Sequence, residues 1–112
     1  MKIAVCSEGN DLAAKVDNRF GRTSFFLVID TDSLDFEVIS NTENQNGAHG
    51  SGIGAVELIA GLGAEAVLAP ELGPAAAGAL RLASIPAYAA GGLTVADAVS
   101  AFKRGELTRL DA

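Results

Sequence analysis

Ser24-Phe25-Phe26-Leu27-Val28-Ile29, then Asp30-Thr31-Asp32-Ser33, then Phe36-Glu37-Val38-Ile39, is the stretch on which the fold turns. Two runs rich in aromatic and β-branched residues flank a cluster of turn formers, which predicts an antiparallel hairpin. The first run is apolar throughout and suits a strand covered on both faces. In the second, Glu37 lies between Phe36 and Val38, a pattern for an outer strand with one wet face. Asn41 to Gly47 then continues as a polar loop.

Working outward, Ile3-Ala4-Val5-Cys6 reads as a buried strand, and Ser7 to Arg19 shows neither period and is expected to be an exposed loop. From Gly50 to Gly63 the spacing predicts a helix with Ala55, Leu58, Ile59 and Leu62 toward the sheet and Gly63 ending it. Ala66-Val67-Leu68-Ala69 supplies a fourth strand, and Pro74 to Ala83 a helix with proline in its tolerant first turn. Pro86-Ala87-Tyr88-Ala89 is the fifth strand, and Gly91-Gly92 opens the next turn. Thr94 caps a last helix with a stripe of Val95, Ala98, Val99 and Phe102, and Gly105 stops it.

The order β-β-β-α-β-α-β-α predicts an α/β fold of three layers, with a mixed five-stranded sheet and three main helices. A hairpin cannot supply a parallel crossover, whereas the later strand–helix alternation can. Right-handed crossovers then give the strand order 3-2-1-4-5 with strand 2 antiparallel, a ribonuclease-H-like arrangement. Cys6, the end of strand 4 and the Gly91-Gly92 turn fall on one rim.

The chain has 112 residues and 49% hydrophobic content, enough for one core. No window approaches the roughly 18 consecutive apolar residues of a membrane helix, and no secretory leader is apparent, so the expected compartment is the cytoplasm and no membrane partner is expected. Cys6 is the only cysteine, which excludes an intrachain disulfide and paired-cysteine metal motifs. The net charge of −6 argues against nucleic acid as a partner. The charge is uneven. Up to residue 29, Lys2, Lys15, Arg19 and Arg22 outnumber Glu8, Asp11 and Asp17, whereas the remainder sets four basic residues against eleven acidic ones.

Arg19-Phe20-Gly21-Arg22 and Gly47-Ala48-His49-Gly50-Ser51-Gly52-Ile53-Gly54 place capture groups in loops. Arg19 and Arg22 offer forked, charge-assisted hydrogen bonds to an oxyanion or a sulfide cluster, and Gly21 permits a tight turn. They also have Glu8, Asp11 and Asp17 as alternative partners. The glycines around His49 bring bare backbone to a helix start, where spare N–H groups and the dipole favour negative charge. His49 is either a metal ligand or proton donor, or a backbone cap. Cys6 is either a thiolate ligand or a small core residue. Gly50 and Gly52 match a dinucleotide fingerprint only in part, because residue 55 is alanine and the preceding strand is antiparallel. Glu8 and Asp11 lack a second carboxylate cluster for nuclease chemistry, and Ser51 has no nucleophile elbow.

Met1-Lys2-Ile3-Ala4-Val5, Val16-Asp17-Asn18-Arg19-Phe20-Gly21-Arg22, the His49 turn and Gly91-Gly92 together resemble the dinitrogenase iron–molybdenum cofactor biosynthesis family. This is the small NifX-type domain, also similar to the carboxy-terminal region of NifB. The resemblance spans residues 1–107 and leaves 108–112 as a tail. It implies a ribonuclease-H-like sheet and the binding or transfer of iron–sulfur or iron–molybdenum cofactor precursors. Orange proteins in the same group hold a molybdenum–copper sulfide cluster without a cysteine cage. The family loop maps onto Arg19, Gly21 and Arg22, and its glycine turn onto His49, Gly50 and Gly52, with Gly91 and Gly92 on the same rim.

The expected function is therefore a non-enzymatic metallocluster carrier, serving a donor or recipient protein. An apo regulatory or protein-interaction module is the alternative. One cysteine and one histidine fall short of the about four ligands of a protein-held cluster, so either a homodimer shares a site or the cargo brings its own sulfides.

Overall fold

The computed structural model describes residues 1–42 and 51–110. Along the chain run β1 (Lys2–Ser7), β2 (Phe25–Asp30), β3 (Phe36–Ser40), α1 (Ser51–Gly61), β4 (Ala66–Ala69), α2 (Pro74–Leu82), β5 (Ala87–Ala89) and α3 (Val95–Lys103). They build a three-layer α/β fold around one five-stranded sheet of order β3-β2-β1-β4-β5. β2 is antiparallel to β1 and β3, while β1, β4 and β5 are mutually parallel. The order and the strand directions are those the hairpin and the later alternation predict.

Burial follows the patterning. Ile3, Val5, Phe26, Leu27, Ile29 and Leu68 are fully enclosed, each contributing about 1.5–3 kcal/mol of transfer free energy. β3 is exposed along its length except at Ile39, which is half-buried, as suits an outer strand. The β2–β3 turn is tied by Asp30, whose carboxylate accepts the N–H groups of Asp32 (2.8 Å) and Ser33 (3.2 Å). Those two bonds hold its carboxyl below the usual range.

The helices end as their sequences suggest. Gly63 takes a φ of 83° and Ala64 N–H bonds to Ile59 O (3.1 Å), closing α1 with a left-handed residue. Thr94 Oγ1 accepts the N–H of Asp97 (3.1 Å) at the start of α3. The buried stripe of α1 is rolled from the expected one: Ala55, Val56 and Ile59 are buried, and Leu58 and Leu62 only partly so. α1 packs on α2 as well as on the sheet, which draws Val56 inward.

Ser7 to Arg19, expected as an exposed loop, is more ordered. Val16 and Asp17 are buried, and Val16 bridges to Ser7 and Lys15 to Thr94. The carbonyls of Ala14 and Leu12 accept the N–H groups of Val95 (2.8 Å) and Ala96 (2.9 Å) in the first turn of α3. Helix starts carry such spare donors, and this loop satisfies two of them. Single bridges are too short to leave an alternating pattern, so the sequence does not announce them. Residues 108–110, expected as a tail, run beside β5, with Ala89 N–H to Thr108 O (2.8 Å) and Leu110 N–H to Ala87 O (2.9 Å).

α2 closes with the same capping geometry as α1, but the left-handed residue is Ser84, at a φ of 58°. Ile85 N–H reaches Leu80 O (2.9 Å) and Ser84 N–H reaches Arg81 O (3.1 Å). A non-glycine residue costs about 1–2 kcal/mol in this region. Ser84→Gly should therefore stabilise the fold by about 1 kcal/mol, seen as a higher urea midpoint with unchanged slope. An unchanged or lowered midpoint would contradict this account of the α2 terminus.

Candidate functional site

The Arg19–Arg22 loop is clamped from beneath. Asp17 is 3% exposed; its Oδ1 accepts the Arg19 N–H (2.9 Å) and Arg19 Nε–H (3.4 Å), and its Oδ2 accepts the Ser24 N–H (3.4 Å). Phe20 is buried and meets Phe26 edge-on, with ring centroids 5.4 Å apart. Asn41, also buried, donates from Nδ2 to Gly21 O (2.9 Å) and Thr23 O (3.0 Å). Thr23 Oγ1 lies within hydrogen-bond reach of Ser7 O (3.2 Å) and Phe25 O (3.0 Å). The backbone is thus held while the side chains of Arg19 and Arg22 face outward. Of the three acidic residues offered as alternative partners, Asp17 is the one that pairs with Arg19.

Opposite this loop, α1 and α2 begin side by side. A Cβ at Gly52 would stand 3.2 Å from Ala76 Cβ and 3.4 Å from Ala76 N, so glycine permits the close approach. α2 starts from Gly73 in an extended conformation with no side-chain cap, and its first helical bond is Ala77 N–H to Gly73 O (3.0 Å). Pro74 has no N–H, and those of Ala75 and Ala76 precede the first intrahelical acceptor.

Between the two walls lies a cleft of about 350 Å³. Residues 18–22 form one side, and Gly52, Glu71 and residues 73–76 the other. Segments distant in sequence thereby bring two guanidinium groups to the positive pole of α2. Glu71 places a carboxylate in the wall that faces them. Sequence reasoning overlooked the cleft positions of Glu71 and the start of α2, and the buried supports Asp17 and Asn41. Asp17 had a local signal, because an aspartate bonding the N–H two residues onward is a recurrent turn device. Asn41 had none, since its partners lie 18 and 20 residues away.

The remaining sequence-derived positions lie elsewhere. Gly91 packs on Pro70, where an added Cβ would come within 3.1 Å of Pro70 Cβ, and Gly92 has a φ of 82°. Both shape the β5–α3 turn, and neither lines the cleft. Cys6 is fully buried, its Sγ within reach of Asp17 O (3.5 Å) and Leu68 O (3.6 Å). Burial, reinforced by the Asp17 charge, pushes its thiol far above the ordinary range, so the side chain is a protonated core group. His49 and Gly50 lie outside the described residues. Among the described residues no three His, Cys, Asp or Glu side chains gather as a metal-ligand set. The cleft offers cations and N–H donors, a donor set suited to the periphery of an anion.

Comparisons with known proteins give the family and the fold. The chain belongs to the dinitrogenase iron–molybdenum cofactor family, which it matches over residues 1–105. It is similar to the apo orange protein of Desulfovibrio gigas, with a TM-score of 0.93 and 38% identity over 96% of this chain and 91% of that one. A NifB-type protein from Thermotoga, solved by NMR, superposes with a TM-score of 0.86 and 35% identity over 99% and 94% of the two chains. An uncharacterised protein of Methanocaldococcus jannaschii is 29% identical over 99% of this chain and 92% of its own length. Among the described residues no helix is long and apolar enough to cross a membrane.

Two expectations follow from the loop and its surroundings. Asn41→Ala should cost about 2 kcal/mol in urea unfolding, because it strands the carbonyls of Gly21 and Thr23; a loss under about 0.5 kcal/mol would show that the clamp is not needed. Cys6 should resist thiol reagents at neutral pH in the native protein and react promptly once denatured. Fast, stoichiometric native labelling would show instead that the strand opens.

Proposed function

We propose that this protein binds and carries an anionic metal–sulfur cluster or iron–molybdenum cofactor precursor, passing it between a donor and a recipient protein without transforming it. The observation that carries the reading is the single cleft shared by Arg19, Arg22, Gly52 and the uncapped start of α2. The cargo is held from outside. Guanidinium groups and backbone N–H donors bind terminal sulfides or oxyanion edges, and the metals keep ligands they bring with them. Gly21 lines the cleft without a side chain, and Gly52 lets α1 close on α2 beside it. His49 and Gly50 enter this reading from the sequence, where they immediately precede α1, with His49 as ligand or proton donor to the cargo. Cys6 takes no part while the strand stays closed.

Family membership and the likeness to an orange protein support a sulfide cargo, and the absence of a gathered ligand set among the described residues favours a preassembled one. Glu71 sets a limit on the charge the cleft tolerates, favouring a cargo with one face less negative than the other.

Anaerobic incubation with iron–sulfur, iron–molybdenum and molybdenum–copper sulfide species, followed by gel filtration, metal analysis and visible spectra, tests the proposal. Stoichiometric retention of one cargo is expected. Arg19→Ala, Arg22→Ala and His49→Ala should each weaken it by about tenfold, and added salt should weaken it further. Failure of the folded protein to retain any of the three, or retention indifferent to both arginines, would refute it.

A further inference from the structure

The two ends of the sheet are finished differently. Along β5 the chain covers its own edge, with Ala89 N–H donating to Thr108 O (2.8 Å) and Leu110 N–H to Ala87 O (2.9 Å). Among the described residues no segment pairs with the outer side of β3. Asn41 N–H bonds to Ser24 O (3.2 Å) and Asp30 N–H to Asp35 O (2.9 Å), each one step beyond the ladder that sets Phe25 against Ser40 and Ile29 against Phe36. Hydrogen-bonded pairs alternate along an antiparallel ladder. Glu37 and Ile39 therefore turn their backbone groups toward β2, and the N–H and C=O groups of Phe36, Val38 and Ser40 point outward.

Edge strands are ordinarily blunted by a proline, a bulge or lysines. β3 has neither proline nor lysine, and its register with β2 runs from Phe36 to Ser40 without a bulge. Its alternation sorts two chemistries onto two faces. Phe36 and Val38, 37% and 40% exposed, share one face, and Glu37 lies on the other. Beside the edge, a shallow groove of about 160 Å³ is lined by Lys2, Val28, Asp30, Asp35, Phe36 and Glu37. Asp30 is engaged by the turn and Lys2 Nζ by Leu62 O (3.4 Å), which leaves the exposed carboxylates of Asp35 and Glu37 to meet an incoming chain. A second copy would bring the same two carboxylates and a further net charge of −6, so like charge opposes self-pairing. A cationic strand is drawn to the same edge.

We propose that the outer edge of β3 docks an extended segment of a partner protein in which apolar and basic residues alternate, adding a strand to the sheet. The partner's backbone bonds to Phe36, Val38 and Ser40, and its apolar side chains cover Phe36 and Val38. Its lysine or arginine stands across from Glu37, in a pair without hydrogen bonds, where facing side chains lie closest. The backbone bonds supply affinity and the charge selects the partner. No residue of β3 lines the cleft, so the docked segment leaves it open. The site stands independently of what the cleft carries.

The test is an NMR titration of the isotope-labelled full chain with a blocked synthetic peptide of alternating valine and lysine. The comparisons are a valine–glutamate peptide, a peptide with the valines and lysines in separate blocks, and the alternating peptide with N-methyl groups on its valines. Shifts at residues 34–40 and slowed amide hydrogen exchange at Phe36, Val38 and Ser40 are expected with the unmethylated alternating valine–lysine peptide alone. Glu37→Lys should weaken its binding at least about tenfold and transfer the response to the glutamate peptide. Glu37 is exposed, so this change is separable from folding. Arg19→Ala and Arg22→Ala should leave the binding unchanged, whatever they do to cargo. Absence of shifts along β3, affinity indifferent to Glu37→Lys, or equal binding of the block or N-methylated peptide would each overturn the proposal. So would the same amide protection arising from the chain alone on concentration, which would make a second copy the occupant.

Discussion

β1 satisfies two different ladders at once. On one edge it pairs antiparallel with β2, on the other parallel with β4, and Ile3 through Ser7 are enclosed between helical layers. Only a strand buried on both faces can hold this place, because helices cover each side of a mixed sheet built this way. The Arg19–Arg22 cleft lies at its carboxyl end. The Arg19 loop follows from it, Asp17 N–H bonds back to Cys6 O (3.0 Å), and Thr23 reaches the carbonyl of Ser7. Open α/β sheets commonly bind ligands outside the carboxyl ends of their strands, and here that rim also receives the starts of α1 and α2.

The Arg19–Arg22 loop is anchored at its buried residues and exposed at its two arginines. Asp17, Phe20, Thr23 and Asn41 hold the loop backbone, using buried polar groups that are all satisfied among the described residues. The two arginines extend from this support into water, where their long side chains can follow an irregular surface. Asp17 serves two ends, since its carboxylate fixes the loop and also moderates the charge of Arg19. With Glu71 in the opposite wall, the cleft sets one carboxylate against its two arginines.

α2 links this rim to the other end of the molecule. Its start is left uncapped against the cleft, while its finish is sealed by backbone bonds through Ser84 and Ile85. The sealed end leaves its arginine and its exposed leucine available on the surface. One short helix thereby presents opposite electrostatic poles at its two ends.

The elements were legible because their signals are local. Apolar runs marked β1, β2 and β4, Glu37 between apolar neighbours marked an outer strand, and Thr94, Gly63 and Gly105 marked helix ends. Arg19, Gly21, Arg22 and Gly52 stood out as loop residues of unusual chemistry, and the structure brings all four to one cleft. Gly91 and Gly92 stood out equally, yet they shape a turn away from it. The supports were hidden, because Asn41 acts on carbonyls 18 and 20 residues away and Ala76 matters only where Gly52 touches it. Sequence by itself determined strand, helix and turn, since those depend on neighbours within a few residues. Tertiary structure alone decided which loops meet, which thiol is enclosed and which carboxylate faces an arginine, because those depend on how the two ladders of β1 fold distant segments onto one rim.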